Sequence, residues 1–268
     1  MSVVFSFLGC GNMGGALVRA AVKSVGSSSV LLHDMDAEKT KKLADEVGAA
    51  VCDKAEAVLR ADYLFLGVKP QGMALLMEEI RPILEKRNPK PVLVTMAAGM
   101  TMDQILNLAG NGPIIRIMPN LAVAAGEGAI LYCSKGVSGE ELRTFLDGMK
   151  CSGKFYPLDE AKMDAASAVS GCGPGFMCYF IEALVKGGKD CGLPEDLSES
   201  LAVQTMLGTA KLLRETGRSA ENLRIAVCSP GGTTLAGLSS MDEHSFTEAA
   251  ASAIVGACRR SEELRKQS

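Results

Sequence analysis

Residues 3–14 read VVFSFLGCGNMG, a run of apolar, strand-forming residues that leads directly into three glycines in the pattern G-x-G-x-x-G. After the glycines, apolar residues recur at the spacing of a helix. In the order strand, turn, helix, the first glycine permits a tight turn, the second lets backbone approach a pyrophosphate, and the third allows close helix packing. The sequence therefore predicts a dinucleotide-binding turn made by Gly9, Cys10, Gly11, Asn12, Met13 and Gly14.

An acidic residue follows the second predicted strand. That strand covers residues 30–33 and is followed by Asp34, 20 residues after Gly14, while the next helix, Ala37–Val47, is predicted to stop at Gly48. A carboxylate here can accept hydrogen bonds from the ribose hydroxyls of a dinucleotide, and it repels a 2′-phosphate. No arginine follows nearby, so Asp34 favours NADH over NADPH as the cofactor.

Strands and helices alternate through the first half of the chain. Further strands are predicted over residues 62–68, 91–95 and 113–118, with helices near 70–87 and 101–109. This alternation predicts an α/β fold with a Rossmann-type, doubly wound and mostly parallel sheet. A strand, a helix and a strand then follow, either as a last β-α-β segment or as an antiparallel edge, at 128–133, 138–149 and 154–158.

Beyond about residue 160 the pattern is helical alone. Long apolar helices are predicted over 160–170, 174–191, 194–215 and 242–266, with a short helical segment after residue 234. Residues 174–191 are apolar on nearly every side, which predicts that a partner helix covers them. We expect two domains, a dinucleotide-binding Rossmann domain over 1–158 and an all-α domain over 159–268.

The amino-acid composition excludes several classes of partner and indicates the cellular compartment. The chain has 268 residues with 28 Lys and Arg against 31 Asp and Glu, and it has no basic run of the kind that binds nucleic acid. Nine scattered cysteines and two histidines offer no metal-ligand spacing and predict a reducing compartment. No apolar run appears long enough for a membrane span, and no signal peptide is recognisable at the N-terminus. We therefore expect a cytoplasmic protein without nucleic acid, membrane or metal partners.

Three polar or glycine-rich segments are candidates for chemistry. The residues Val68, Lys69 and Pro70 close a predicted strand at the sheet edge where ligands bind, although alone they indicate an ordinary strand end with an exposed lysine more than a binding site. The segment SGCGPG at 170–175 is either a helix-starting loop or a binding turn. SPGGTT at 229–234 offers backbone N–H groups and two hydroxyls before a helix, which together suit a carboxylate.

The chain resembles the pyrroline-5-carboxylate reductase family across essentially its full length. The resemblance is carried by GCGNMGGAL at 9–17, LFLGVKPQ at 64–71, MAAGMT at 96–101, RIMPN at 116–120, GEGA at 126–129, SGCGPGF at 170–176, GLP at 192–194 and, most specifically, SPGGTTLAGL at 229–238. It implies that the all-α domain binds substrate and forms a homodimer, which in this family often assembles further into a larger homo-oligomer. It also implies NADH- or NADPH-dependent reduction of the cyclic imine of 1-pyrroline-5-carboxylate to L-proline.

The resemblance implies roles for particular residues. Thr234 would be the catalytic residue that hydrogen-bonds the imine nitrogen, and the substrate carboxylate would lie against the backbone of the turn that contains Ser229, Gly231, Gly232 and Thr233. Further cofactor contacts would fall on Val68, Lys69, Pro70, Ala97 and Ala98.

The chain departs from the family pattern at three places. Asn120 is followed by Leu121 and Ala122 instead of threonine and proline, Cys172 and Phe176 replace a serine and a tyrosine, and Ile225 and Ala226 replace a polar pair. These departures leave open a paralogous imine reductase with a different small carboxylate substrate. A β-hydroxyacid dehydrogenase-like enzyme is a weaker alternative because Tyr179 and Phe180 stand where its catalytic lysine belongs, and a dinucleotide-sensing protein would not need Thr234.

Overall fold

The computed structural model describes residues 3–267, with side chains through residue 263. The strands are β1 (Phe5–Leu8), β2 (Val30–His33), β3 (Ala50–Val51), β4 (Tyr63–Leu66), β5 (Val92–Thr95), β6 (Ile114–Met118), β7 (Gly128–Lys135) and β8 (Gly153–Pro157). The helices of the first half are α1 (Asn12–Val25), α2 (Ala37–Val47), α3 (Lys54–Arg60), α4 (Pro70–Leu84), α5 (Met102–Ala109), α6 (Gly139–Gly148) and α7 (Met163–Ser170). Those that follow are α8 (Gly173–Asp190), α9 (Glu195–Thr216), α10 (Ala220–Ala226), α11 (Thr233–Glu243) and α12 (Phe246–Gln267).

The eight strands form one sheet in the order β3-β2-β1-β4-β5-β6-β7-β8. Strands β1 to β6 are parallel to one another, β7 is antiparallel to β6, and β8 is parallel to β7. The predicted Rossmann-type fold class is confirmed. Both readings of the region after residue 128 hold in part, because β7, α6 and β8 form a β-α-β segment that joins the sheet through an antiparallel strand.

The central strands are buried on both faces. Every residue of β1, β4 and β5 is buried, as expected for parallel strands that helices cover on both sides. One face packs aromatic rings, with the centroids of Phe7 and Phe65 4.2 Å apart. On the other face, Leu64 of β4 packs with apolar side chains of helices α4 and α5 such as Met77 and Ile105. This rigid core fixes the carboxyl ends of the strands in one row.

Local capping explains why several predicted boundaries agree with the structure. Helix α2 begins where the Asp36 carboxylate accepts the Lys39 N–H at 3.0 Å, and it ends at Gly48, whose φ of 71° is left-handed. Helix α6 begins with a capping box in which Ser138 and Glu141 each bond the other's backbone N–H. Such caps can be recognised in sequence, and helix α2 matches its predicted bounds for this reason. Strand β2, which precedes it, also matches its predicted bounds.

Three short elements were not predicted from the sequence, and the last two helices meet at a different residue from the predicted one. Strand β3 has 2 residues, and helices α3 and α10 have 7 residues each, which is too short for a periodic pattern. The helix predicted over 242–266 begins only at Phe246, because α11 continues to Glu243 and the chain turns at Ser245 with a φ of 54°.

The chain divides into two compact units. The described residues up to Cys172, together with those from Ala257 onward, form one unit, and Gly173–Gly256 form the other. The first unit contains the sheet, and the second is helical throughout. The domain limits 1–158 and 159–268 stay a prediction.

One apolar stretch differs from the sequence expectation. Within the helical run Glu160–Asp190, an 18-residue window has a mean hydropathy of 1.4 and is long and apolar enough by length and composition to cross a membrane. The expectation overlooked this window because serine, glycine, proline and Glu182 interrupt its apolar residues. Only 6% of it is buried within the chain, and none of the 18 residues of α8 is buried.

Candidate active site

The glycine-rich turn brings three backbone segments closer than side chains would allow. Gly9 has a φ of +109°, and its N–H donates to the carbonyl of His33 at 2.8 Å. A Cβ on Gly67, which follows β4, would lie 2.5 Å from the Gly9 carbonyl oxygen, and a Cβ on Gly14 would collide with the same oxygen. The roles predicted for Gly9 and Gly14 in a tight turn and in close helix packing therefore have a direct steric basis.

Gly11 differs from Gly9 and Gly14, because a Cβ on Gly11 would meet nothing within 4 Å. Gly11 is the N-cap of α1, and no side chain caps this helix end. The first turn of α1 contains no acidic residue that would repel an anion. A helix N-terminus with open space beside it suits a pyrophosphate, which the backbone N–H groups and the helix dipole attract. The residues present therefore fit the phosphates of a dinucleotide.

We expect Gly11→Ala to weaken dinucleotide binding without loss of stability. The added methyl group has room in the protein, and Gly11 has a φ of −61° that alanine adopts freely. The methyl group would occupy the space through which the phosphates approach, so the Kd should rise about tenfold, while the urea midpoint should not fall. Fluorescence titration of NADH measures the first quantity. Unchanged affinity would show that the phosphates lie elsewhere.

Asp34 lies directly after β2, half-buried beside the turn. Its Oδ2 accepts the Cys10 N–H at 2.6 Å, and its Oδ1 accepts the Asp36 N–H at 3.0 Å. The Cys10 side chain is 2% exposed, and burial followed by the Asp34 charge raises the pKa of the Cys10 thiol to about 12. This thiol is therefore protonated at neutral pH and is not a nucleophile.

The other predicted cofactor residues lie after β4 and β5, the next strands in the sheet order. Val68 is half-buried, Lys69 is the exposed N-cap of α4, and Pro70 is the first residue of that helix. After β5, Ala97 is buried and donates its N–H to the Thr95 hydroxyl at 3.3 Å, while Ala98 is exposed. Because β2, β1, β4 and β5 are neighbours in the sheet, all these residues share its carboxyl edge, where open α/β sheets bind ligands.

The second predicted site is a turn in the helical unit. The Gly232 N–H donates to the Ser229 carbonyl at 2.9 Å, and Gly231, after Pro230, has a φ of +69°. Proline followed by a left-handed glycine is typical of a type II β-turn. A Cβ on Gly232 would displace the Ser229 hydroxyl and would lie 3.1 Å from the Ser229 carbonyl oxygen, so this position favours glycine.

This turn leads directly into helix α11. Gly232 is the N-cap, Thr233 and Thr234 are the first two helical residues, and no side chain caps the helix. The first turn contains no acidic residue, and both threonines are exposed in the single chain. The turn thus offers backbone N–H groups, a positive helix end and a hydroxyl to a small anionic molecule.

A buried ion pair on β6 was not predicted from the sequence. The Arg116 guanidinium on β6 has 2% side-chain exposure and donates to Glu160 Oε1 at 3.0 Å. The same oxygen accepts the Met102 N–H at 2.8 Å, at the start of α5. Arg116 belongs to the RIMPN motif, and a charged residue within an otherwise apolar strand was the available signal.

Asn120 of the same motif bridges two segments. Its Nδ2 donates to the Ser170 carbonyl at 2.9 Å, and its Oδ1 accepts the Ala129 N–H at 3.1 Å. Asn120 therefore fixes the end of α7 at the point where the SGCGPG segment begins.

The residues that depart from the family pattern are mostly exposed in the single chain. Leu121 and Ile225 are 66% and 57% exposed, and Cys172 is exposed as well. Neighbouring positions on α8 also expose apolar surface, with Tyr179 at 75% and Met177 at 51%. Nothing in the structure explains why Cys172 replaces a serine.

Comparison with known protein families divides the chain into two matched regions. Residues 160–264 match the model described as pyrroline-5-carboxylate reductase dimerisation. Residues 4–99 match the model described as NADP oxidoreductase, coenzyme F420-dependent.

Individual relatives match over nearly the whole length. The pyrroline-5-carboxylate reductase of Glycine max is 35% identical over 267 residues, which cover 98% of this chain and 96% of the relative. The structure of the Coxiella burnetii pyrroline-5-carboxylate reductase has a TM-score of 0.91 and 26% identity, and the match covers 98% of this chain and 99% of that one. The Plasmodium falciparum enzyme, whose structure has NADP bound, has a TM-score of 0.85 and 26% identity over 98% of both chains. The chain therefore belongs to the pyrroline-5-carboxylate reductase family.

Proposed function

We propose that this protein is a pyrroline-5-carboxylate reductase that reduces the cyclic imine of 1-pyrroline-5-carboxylate to L-proline. The observation that carries the proposal is the turn at Ser229–Thr234, which presents helix N–H groups and the Thr234 hydroxyl side by side. A cyclic imine with a carboxylate needs both, an anion-binding backbone for the carboxylate and a hydrogen-bonding group for the nitrogen. The relatives named above support the same substrate.

A nicotinamide dinucleotide would supply the hydride that the imine carbon accepts. The residues proposed to hold the cofactor are those at the carboxyl edge of the sheet, Gly9 to Gly14, Asp34, Val68 to Pro70, Ala97 and Ala98. The N-terminus of helix α1 would attract the phosphates, and the loops that follow β4 and β5 would line the same edge of the sheet.

The residues of the Ser229–Thr234 turn would bind the substrate and assist its reduction. Backbone N–H groups around Gly231, Gly232 and Thr233, beside Ser229, would bind the substrate carboxylate at the positive end of α11. The Thr234 hydroxyl would hydrogen-bond the ring nitrogen, orient the C=N bond and stabilise the negative charge that develops at nitrogen as the hydride reaches carbon. A proton from water, delivered directly or through this hydroxyl, would then complete the amine. No covalent intermediate with the protein is required.

The activity is tested with purified full-length protein, pyrroline-5-carboxylate and either NADH or NADPH. We expect both cofactors to be oxidised, with a higher kcat/KM for NADH because the Asp34 charge repels a 2′-phosphate. A strong preference for NADPH would contradict the role of Asp34 in cofactor choice. Absence of turnover with either cofactor would remove the proposed function itself.

We further propose a homodimer formed through the helical domain, residues 159–268, with 1–158 as the cofactor-binding domain. Helix α8 exposes Met177, Tyr179 and Leu184 in the single chain, and an apolar helix without burial is typical of an interface. The match of residues 160–264 to a dimerisation family supports this assignment. A dimer would also cover the Glu160–Asp190 stretch without a membrane, in a protein that we place in the cytoplasm.

Tyr179→Asp is expected to weaken the homodimer by about 30-fold or more, as loss of a large aromatic anchor does in other interfaces. Light scattering across a dilution series measures the change. Leu59→Asp is the matched control, since Leu59 on α3 is 53% exposed and lies in the cofactor-binding domain. Equal dissociation by both variants would contradict an interface on α8.

A further inference from the structure

Asp34 is bonded to backbone N–H groups of its own chain at both carboxylate oxygens. Its Oδ2 accepts the Cys10 N–H at 2.6 Å, and its Oδ1 accepts the Asp36 N–H at 3.0 Å. Cys10 is the second residue of the glycine-rich turn, and Asp36 is the N-cap of α2. One side chain thus joins the phosphate-binding turn to the start of the next helix.

The bond to Cys10 is one of two that fix the turn against β2. The preceding N–H, that of Gly9, donates to the carbonyl of His33 at 2.8 Å. Two successive N–H groups of the turn are therefore held by two successive residues, His33 and Asp34. The Cys10 N–H is already hydrogen-bonded, and the Cys10 side chain is buried, so neither can bind an anion. The N–H groups that follow Gly11 at the start of α1 are therefore the ones that can bind it.

We propose that Asp34 is a positioning residue that sets the conformation of the phosphate-binding turn, and not only an acceptor for a ribose. The proposal rests on the proposed function to the extent that the turn binds a dinucleotide. A carboxylate has about four lone-pair sites, and two of them are used here, so a ribose contact remains compatible. Because the turn contacts phosphates that NADH and NADPH share, loss of the Asp34 carboxylate should weaken both cofactors.

The conformation of the turn can be measured in the cofactor-free protein. Selective ¹⁵N labelling of cysteine gives nine amide signals spread along the chain, and Cys10→Ser identifies the one from Cys10. A short hydrogen bond to a carboxylate moves an amide proton downfield. In Asp34→Ala we expect the Cys10 amide proton to move upfield while the other eight cysteine signals, which report an intact fold, keep their positions. If Asp34→Ala does not fold, Asp34→Asn should give a smaller shift in the same direction.

Cofactor affinity gives the second readout. Asp34→Ala should raise the Kd of NADH by about tenfold or more, and it should also raise the Kd of NADPH, by a smaller factor because the repulsion of the 2′-phosphate is lost at the same time. Asp36→Asn is the matched control, because it removes the same charge two residues away and keeps an oxygen to accept the Lys39 N–H. This control should leave the Cys10 signal in place.

Three results would overturn the proposal. They are an unmoved Cys10 signal in Asp34→Ala, a loss of affinity confined to NADH, and an equal shift of the Cys10 signal in Asp36→Asn. None of these measurements uses pyrroline-5-carboxylate. A protein that fails to reduce this imine but shows the expected shift and the shared loss of affinity would contradict the proposed substrate and leave the role of Asp34 intact.

Discussion

Thr234→Val is expected to lower kcat for the reduction of pyrroline-5-carboxylate by about 10²- to 10³-fold, with the Kd of NADH unchanged. Valine has the shape of threonine and keeps the backbone N–H at the start of α11, so the substitution removes only the hydroxyl. The proposed hydrogen bond to the ring nitrogen strengthens as charge develops there, which is why the loss should fall on kcat. Steady-state rates and fluorescence titration of NADH measure the two quantities.

Thr234→Ser is the matched variant because it keeps the hydroxyl and loses a methyl group. We expect it to retain activity within about tenfold of the unchanged protein, since the hydrogen-bonding group remains. If valine keeps kcat within about threefold, or if serine and valine lose activity equally, the hydroxyl is not the group that meets the nitrogen.

Glu160→Ala is expected to lower the free energy of unfolding by about 3–5 kcal/mol. The Arg116 guanidinium has 2% side-chain exposure, and its Nε and Nη2 have no hydrogen-bond partner among the described residues. Removing Glu160 would leave this buried charge without its carboxylate and would leave the Met102 N–H without its acceptor. Urea unfolding followed by circular dichroism measures the change.

Asp159→Asn provides the control for the Glu160 prediction. Asp159 pairs with Lys162 at 3.8 Å, and their side chains are 82% and 75% exposed, so this pair should contribute almost nothing. The double substitution Arg116→Met with Glu160→Met should cost less than Glu160→Ala, since it removes the buried charge as well. Equal costs for Asp159→Asn and Glu160→Ala would show that Glu160 is not a partner of the buried charge.

Most of the sheet could be predicted because its strands carry local signals. Central strands such as β1 and β4 are short apolar runs between turn residues, and α2 is bounded by Asp36 and Gly48, whose capping roles depend only on neighbours. Strand β3 could not be predicted, because two residues have no period and their pairing with Leu31 and Leu32 is set by the sheet.

The candidate sites divide in the same way. The glycine-rich turn and the Ser229–Thr234 turn depend on backbone geometry that glycine and proline residues indicate in the sequence itself. The partners of the side chains do not follow from sequence, because Arg116 meets Glu160 across 44 positions and Asp34 meets Cys10 across 24. Such pairs exist only once the sheet has brought distant segments together.

The contacts among Gly9, Gly14 and Gly67 limit how this protein can change over evolutionary time. In each case a new Cβ would meet backbone atoms rather than a side chain. A clash with a neighbouring side chain can be relieved by a second substitution that makes that side chain smaller. A clash with a backbone carbonyl group cannot, so the loss of any one of these glycines has no compensating substitution. Descendants of this chain that acquire a new cofactor preference should therefore keep all three glycines and vary instead at side chains along the carboxyl edge of the sheet.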